Sequence, residues 1–246
     1  MSGLVRAESL FRARRRARRL RSARPALVLA IVTTVVGGVV WVAYASPLLR
    51  LSSITVKGTS RLSVAQVLGA AGVHTGVPLV EVPVGAVRRR VASLAPVARV
   101  RVDRDWPNRL VIEVTERRAV AAVSTGGGAR AEVVLVDDAG VAFATSTAAP
   151  AGLVDLRIPT PTLGATSEAA AAAMQVWARL PAGVRREVRW LRADSPEAVS
   201  FELTRGSTVV WGSATDSSDK LSVLAALMHS AATVYDVSTP SVAVTH

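Results

Sequence analysis

The 246-residue chain has 30 Lys and Arg against 18 Asp and Glu, a net charge of +12, with 50% hydrophobic residues and no cysteine. That excludes disulfides, thiol nucleophiles and Cys-based zinc sites, so any folded part must be held by its own core. The charge is lopsided: the first twenty-four residues hold nine Arg and one Glu, so the basic balance belongs mostly to an N-terminal tail.

From Pro25 to Ala45 there is no charged residue. A helix of that length, at ~1.5 Å per residue, covers the ~30 Å hydrocarbon core of a bilayer. The arginine cluster Arg12 to Arg24 precedes it and only Arg50 stands close behind, a bias that orients the N-terminus to the cytoplasm. Beside a membrane, such a cluster favours anionic lipid over nucleic acid. Ala43-Tyr44-Ala45 also fits a signal-peptide cleavage pattern, but the apolar core is longer than the ~7–15 residues of such peptides, which favours an uncleaved anchor. Within it Thr33 and Gly37, and Thr34 and Gly38, place small residues four apart, a spacing that lets a second helix approach.

Leu51 to Lys57 alternates apolar and polar residues and predicts a strand ending at Gly58. Ser63 opens a helix with Val64, Val67, Leu68 and Ala71 on one face, closed by Gly72. A second helix runs from Pro83 to Leu94, with Arg88, Arg89 and Arg90 toward water. Val97–Asp103 and Leu110–Glu116 flank the turn Trp106-Pro107-Asn108 and predict a hairpin. The order strand, helix, helix, strand, strand defines a small α+β domain with two helices on a three-stranded sheet. Ile54–Gly58 and Leu110–Glu116 are its expected free edges.

These residues carry a resemblance. Ile54-Thr-Val-Lys-Gly58, Gly76-Val-Pro-Leu79, the run Pro96 to Pro107 and Leu110-Val-Ile-Glu-Val-Thr-Glu-Arg117 together resemble a POTRA domain. The Trp-Pro turn and the strand after it look like the version in the FtsQ (DivIB) family of bacterial cell-division proteins. Val136-Asp-Asp-Ala-Gly-Val-Ala-Phe143 is similar to a hairpin of that family and extends the match.

Beyond residue 119 the patterning predicts strands at 119–123, 133–136, 153–158, 184–191, 198–203 and 208–211. Helices are expected from Ser167 to Leu180 and from Ser218 to Ala232, the latter with Leu221, Leu224, Leu227, Met228 and Ala231 inward. This reads as a mixed α/β domain with a largely antiparallel sheet. The chain lacks Gly-x-Ser-x-Gly, Gly-x-x-x-x-Gly-Lys and His-Glu-x-x-His patterns, and its three histidines lie in separate elements. No catalytic residue, metal or cofactor is expected.

The expected organisation is a basic tail (1–24), a transmembrane helix (25–45), a POTRA-like domain (48–118) and an FtsQ-type β-domain (119–246). The resemblance implies a scaffold outside the cytoplasmic membrane, concentrated at the division septum. Its implied partners are FtsB and FtsL, with FtsW and the septal penicillin-binding protein as further candidates, so that septal peptidoglycan synthesis is positioned. The alternative is a POTRA-bearing envelope transport component or polypeptide chaperone, although such POTRA domains usually come in tandem. Because Pro240 has no amide proton, a strand containing it belongs at a sheet edge. The resemblance carries partner binding to Tyr235, Asp236, Val237, Ser238, Thr239, Pro240 and Val242, by addition of an extended segment to that edge.

Overall fold

The computed structural model describes residues 25, 27–42, 44, 46–125, 132–159, 161–240 and 244–245. Residues 27–42 form helix α1, and most of its large apolar side chains, Leu27, Ile31, Val35, Val39 and Trp41 among them, are more than half exposed. Of the expected span, Ala26, Ala43 and Ala45 lie outside the described residues. Among the described residues, no helix is long and apolar enough to cross a membrane.

The next elements follow the expected order: β1 (Ser53–Lys57), α2 (Val64–Ala71), α3 (Val84–Ala92), β2 (Val97–Asp105) and β3 (Arg109–Glu116). The three strands form a sheet in the order β1-β3-β2. This corrects one expectation. Leu110–Glu116 is the central strand, flanked on both sides, so only β1 and β2 present edges. The hairpin makes β3 adjacent to β2, and β1 joins the far side of β3. Leu110, Ile112 and Val114 are accordingly buried, with Arg109 and Glu113 exposed.

Residue contacts divide the chain into two compact units. One comprises the described residues up to Thr55 with Val73–Val84 and Asp103–Val111; the other comprises Val56–Gly72, Gly85–Val102 and the chain from Ile112 on. Within the first, Leu51 donates its N–H to Val77 and accepts from Gly76. There the Arg104 guanidinium donates to the carbonyls of Leu79 (2.9 Å) and Val82 (2.8 Å), adding to the backbone N–H bonds those carbonyls already accept from Val82 and Val84.

In the second unit α2 is capped at both ends. Ser63 Oγ accepts from Gln66 N–H while Gln66 Oε1 accepts from Ser63 N–H, and Gly72 closes the helix at φ +58°. Arg90 donates to the free Ala71 carbonyl at its end. Val67 and Ala71 are buried, but Val64, expected inward, is 48% exposed because it lies in the first turn beside the cap.

The rest of this unit is built on a nine-stranded sheet, β12-β11-β10-β9-β8-β7-β4-β5-β6. Its strands are β4 (Ala121–Thr125), β5 (Glu132–Val136), β6 (Ala142–Ser146), β7 (Val154–Arg157), β8 (Val188–Ala193), β9 (Val199–Leu203), β10 (Thr208–Gly212), β11 (Val234–Asp236) and β12 (Val244–Thr245). Pairings β4/β7, β7/β8 and β10/β11 are parallel and the other five antiparallel. Parallel neighbours need crossovers. Helices α4 (Glu168–Arg179) and α5 (Ala182–Glu187) supply the one between β7 and β8, and α6 (Ser217–Leu227) the one between β10 and β11. Leu156, Leu191, Phe201, Val209 and Trp211 join the alanine face of α4 in one buried core.

Two expectations change here. Residues 184–187 are helical, because Pro181 fits a helix start and the Val184/Val188 spacing of four suits a helical turn as well as a strand. Helix α6 ends at Leu227, leaving Ala231 outside it and exposed; of the predicted inward residues only Leu224 is fully buried.

Candidate functional site

The C-terminal end of the nine-stranded sheet is where the sequence places partner binding. β11 follows β10 in parallel register (Thr208↔Val234, Val210↔Asp236), and β12 returns antiparallel outside it (Tyr235↔Thr245, Asp236↔Val244). The expected single edge strand is thus two short strands. Residues 238–240 form the bend between them and Pro240 sits in that bend, where its missing N–H breaks no ladder. β12 holds the outermost position.

Side chains along this segment alternate. Tyr235 (5% exposed) and Val237 (0%) turn into the core, whereas Thr239 is exposed and Asp236, Ser238 and Pro240 are half-buried. The Tyr235 hydroxyl donates to the Ser230 carbonyl (2.7 Å) and accepts from Ala232 N–H (3.3 Å), pinning the connection from α6. An aromatic ring at the start of the segment thus serves the fold, and Thr239 is its exposed member, with Asp236, Ser238 and Pro240 partly accessible. Val242 lies outside the described residues.

Three features hold the segment. Val237 donates to the Val210 carbonyl (2.9 Å), prolonging the pairing with β10. Asp236 Oδ1 accepts from Ser238 N–H (2.9 Å), an Asx turn that starts the bend. Gly212, at φ +73°, lets Ser238 approach: a Cβ there would stand 3.0 Å from Ser238 Cβ. In the sequence Gly212 reads as the stop of the Thr208–Trp211 run, which does not reveal its close approach to Ser238.

The second predicted set, Thr33, Thr34, Gly37 and Gly38, lies on α1, where a Cβ added at either glycine meets nothing within 4 Å. Among the described residues, no group of three His, Cys, Asp or Glu is placed to hold a metal ion.

The family-like motifs turn out to be structural joints. Glu116 Oε1 accepts from the N–H groups of Ser60 and Leu62, Oε2 from the Ser60 hydroxyl, and the Arg61 N–H reaches both oxygens. Partial burial alone would raise its pKa; the N–H groups of Leu62, Arg61 and Ser60 and the Ser60 hydroxyl outweigh that and bring it down to about 2. The adjacent Arg117 donates to Ala95 O (3.1 Å) and pairs with the buried Asp137, whose Oδ1 accepts from Ala139 and Val141 N–H. Gly140, at φ +79°, brings this hairpin turn onto α4, where a Cβ would fall 2.4 Å from Ala171 N. Phe143 closes the motif in a small buried cluster with Ala122, Val133 and Leu135.

A β-α-α-β-β unit joined to a large sheet with an outer C-terminal strand defines a POTRA-bearing protein with a strand-edged β-domain. A family model described as POTRA domain, FtsQ-type, matches residues 49–117. The cell division protein FtsQ of Streptomyces bingchenggensis is 38% identical over 94% of this chain and 90% of its own length. FtsQ of Streptomyces collinus is 36% identical over 91% and 87%, and that of Mycolicibacterium smegmatis 36% identical over 80% and 57%. The chain belongs to the FtsQ family of cell division proteins.

Proposed function

We propose that the chain is a non-catalytic scaffold of the division machinery, anchored once in the cytoplasmic membrane and concentrated at the septum. On this reading residues 25–45 span the bilayer, the basic tail 1–24 stays in the cytoplasm, and the POTRA-like domain (48–118) and β-domain (119–246) work outside. The exposed apolar side chains of α1 and the arginines before it support the anchor. FtsB and FtsL bind outside the membrane, and through them, with FtsW and the septal penicillin-binding protein, septal peptidoglycan synthesis is positioned.

The observation that carries the binding reading is the outermost position of β12. An outer strand has backbone groups on one side free of its own sheet, and an extended segment adds there as a further strand. Asp236, Ser238, Thr239, Pro240 and Val242 would flank the incoming segment, with Tyr235 and Val237 anchoring the strand that presents it.

The test replaces Val244 or Thr245 singly with proline and measures FtsB binding beside thermal unfolding. One of these N–H groups points to β11 and the other outward, so one variant should keep its melting temperature while FtsB binding falls at least tenfold. Undiminished binding in a folded chain truncated after Ser238 would refute the edge as the site.

A further inference from the structure

The second compact unit carries a groove of about 500 Å³ whose lining the proposed scaffold role does not use. That size lies within the ~300–1,000 Å³ of ordinary ligand sites. Three arginines line it, Arg61, Arg117 and Arg118, against one carboxylate, Glu116, with Pro150 and Leu153 as an apolar shoulder.

These charges are not equally available. Arg117 is committed to Ala95 O and to Asp137. Glu116 spends its oxygens on the N–H groups of residues 60–62 and the Ser60 hydroxyl. Arg118 is exposed, and among the described residues no carboxylate pairs with it. Arg61 is exposed as well; its guanidinium lies 5.9 Å over the Phe143 ring and has no carboxylate partner among the described residues. The groove therefore offers two uncompensated guanidinium groups, each able to grip a carboxylate through two N–H bonds.

The walls are preorganised. Gly58, at φ +81°, lies so close to β3 that a Cβ would fall 2.1 Å from the Val114 carbonyl oxygen. Glu116 fixes the loop bearing Arg61, and the Arg117–Asp137 pair fixes the strand end before Arg118. A ligand entering such a site loses little to ordering the protein.

We propose that this groove binds a short acidic segment of a protein partner, with carboxylates on Arg61 and Arg118 and an apolar side chain against Pro150 and Leu153. Charge complementarity selects the ligand. Nucleic acid would need a longer basic track and aromatic stacking platforms, and no aromatic residue lines the groove. The site involves no residue of the C-terminal edge, so it stands or falls apart from FtsB binding there.

The experiment uses the full chain in phosphatidylcholine nanodiscs and a fluorescein-labelled hexapeptide alternating Glu and Leu, read by polarisation at low salt. Two control peptides replace Glu with Gln or Lys, and vesicles of phosphatidylglycerol serve as competitor. The expected result is saturable binding of the acidic peptide alone, weakened at least tenfold by Arg118→Glu and further by adding Arg61→Glu. Arg186→Glu, the same charge change on an exposed arginine outside the groove, should alter binding less than twofold. The proposal is overturned if Arg186→Glu weakens binding as much as Arg118→Glu, if the Gln peptide binds equally well, or if the vesicles bind at Arg61 and Arg118 while the peptide does not.

Discussion

Glu116 is a carboxylate held ionised by backbone N–H groups, and that makes it a pH-dependent fastener. Its folded pKa, about 2, lies below the ordinary 4.5, so the stability it supplies is present above about pH 4.5 and is lost as pH falls toward 2. Glu116→Gln should cost on the order of 2–3 kcal/mol at pH 7, as charged hydrogen bonds to three N–H groups are replaced by weaker ones. Urea unfolding from pH 7 down to 2.5 checks this: the gap between wild type and variant should shrink as the pH falls, and a constant gap would contradict it. Glycines separate in the same quantitative way. Gly140→Ala should cost more than about 3 kcal/mol, because the nearest obstacles to its Cβ are backbone atoms of α4. Gly206→Ala, also at positive φ but with nothing within 4 Å, should cost only about 1 kcal/mol. Comparable thermal shifts for the two would show that close approach is not what Gly140 provides. In the sequence the two glycines differ only in their surroundings. The Asp-Asp-Ala-Gly turn was legible, but its contact with a helix thirty residues on was not.

Among the elements, regular alternation was the most legible signal. β2 and β3 fall where period-two patterns predicted them, β5 and β9 where short runs predicted strands, and α2 and α4 begin at the serines that cap them. Legibility failed where a pattern fits two periods, as at 184–187, and where local charge reads against burial. Lys220 shows the second case. A lysine in the second turn of an otherwise amphipathic helix reads as solvent-facing, yet it is 1% exposed and donates to Ser213 O (3.0 Å). Burial pushes its ammonium below the usual lysine range, against the opposing pull of Asp216. The folded chain thus holds this proton less tightly than the unfolded chain does. Stability should rise with pH as it climbs from the folded pKa toward 10.5. Lys220→Met should remove that rise and match or exceed wild type at pH 7, since replacing a buried charge by an apolar side chain of similar volume is often neutral or stabilising. A loss above about 1 kcal/mol in the variant would mean that the bond to Ser213 outweighs desolvation. The edge of the β1-β3-β2 sheet was misjudged for a topological reason: alternation marks a strand but does not say which strand takes the centre. For α1, Gly37→Leu with Gly38→Leu should lower crosslinking to partner helices while leaving insertion intact; unchanged crosslinking would reject a packing role for that face.

For the whole molecule, the family was legible because its motifs are joints. The Glu-Arg pair at 116 and 117 ties a loop and a hairpin to β3, and the Val-Asp-x-x-Gly-x-x-Phe turn packs that hairpin on α4, so these residue types are fixed by geometry. The candidate site was less legible. In the sequence Pro240 points to a single edge strand, whereas it lies in a bend and β11 is flanked on both sides; the division into β11 and β12 and the inward turn of Tyr235 and Val237 depend on pairing with β10, which no local pattern encodes. The proposed reading joins an apolar N-terminal helix, a POTRA-like unit and a sheet ending in an outer strand into one scaffold of cell division. Its central claim is where that scaffold works. A fluorescent protein fused to the N-terminus of the full chain, followed through growth and division, tests it most directly: the account predicts a band at mid-cell that appears with each septum, and an even signal around the envelope of dividing cells would contradict it.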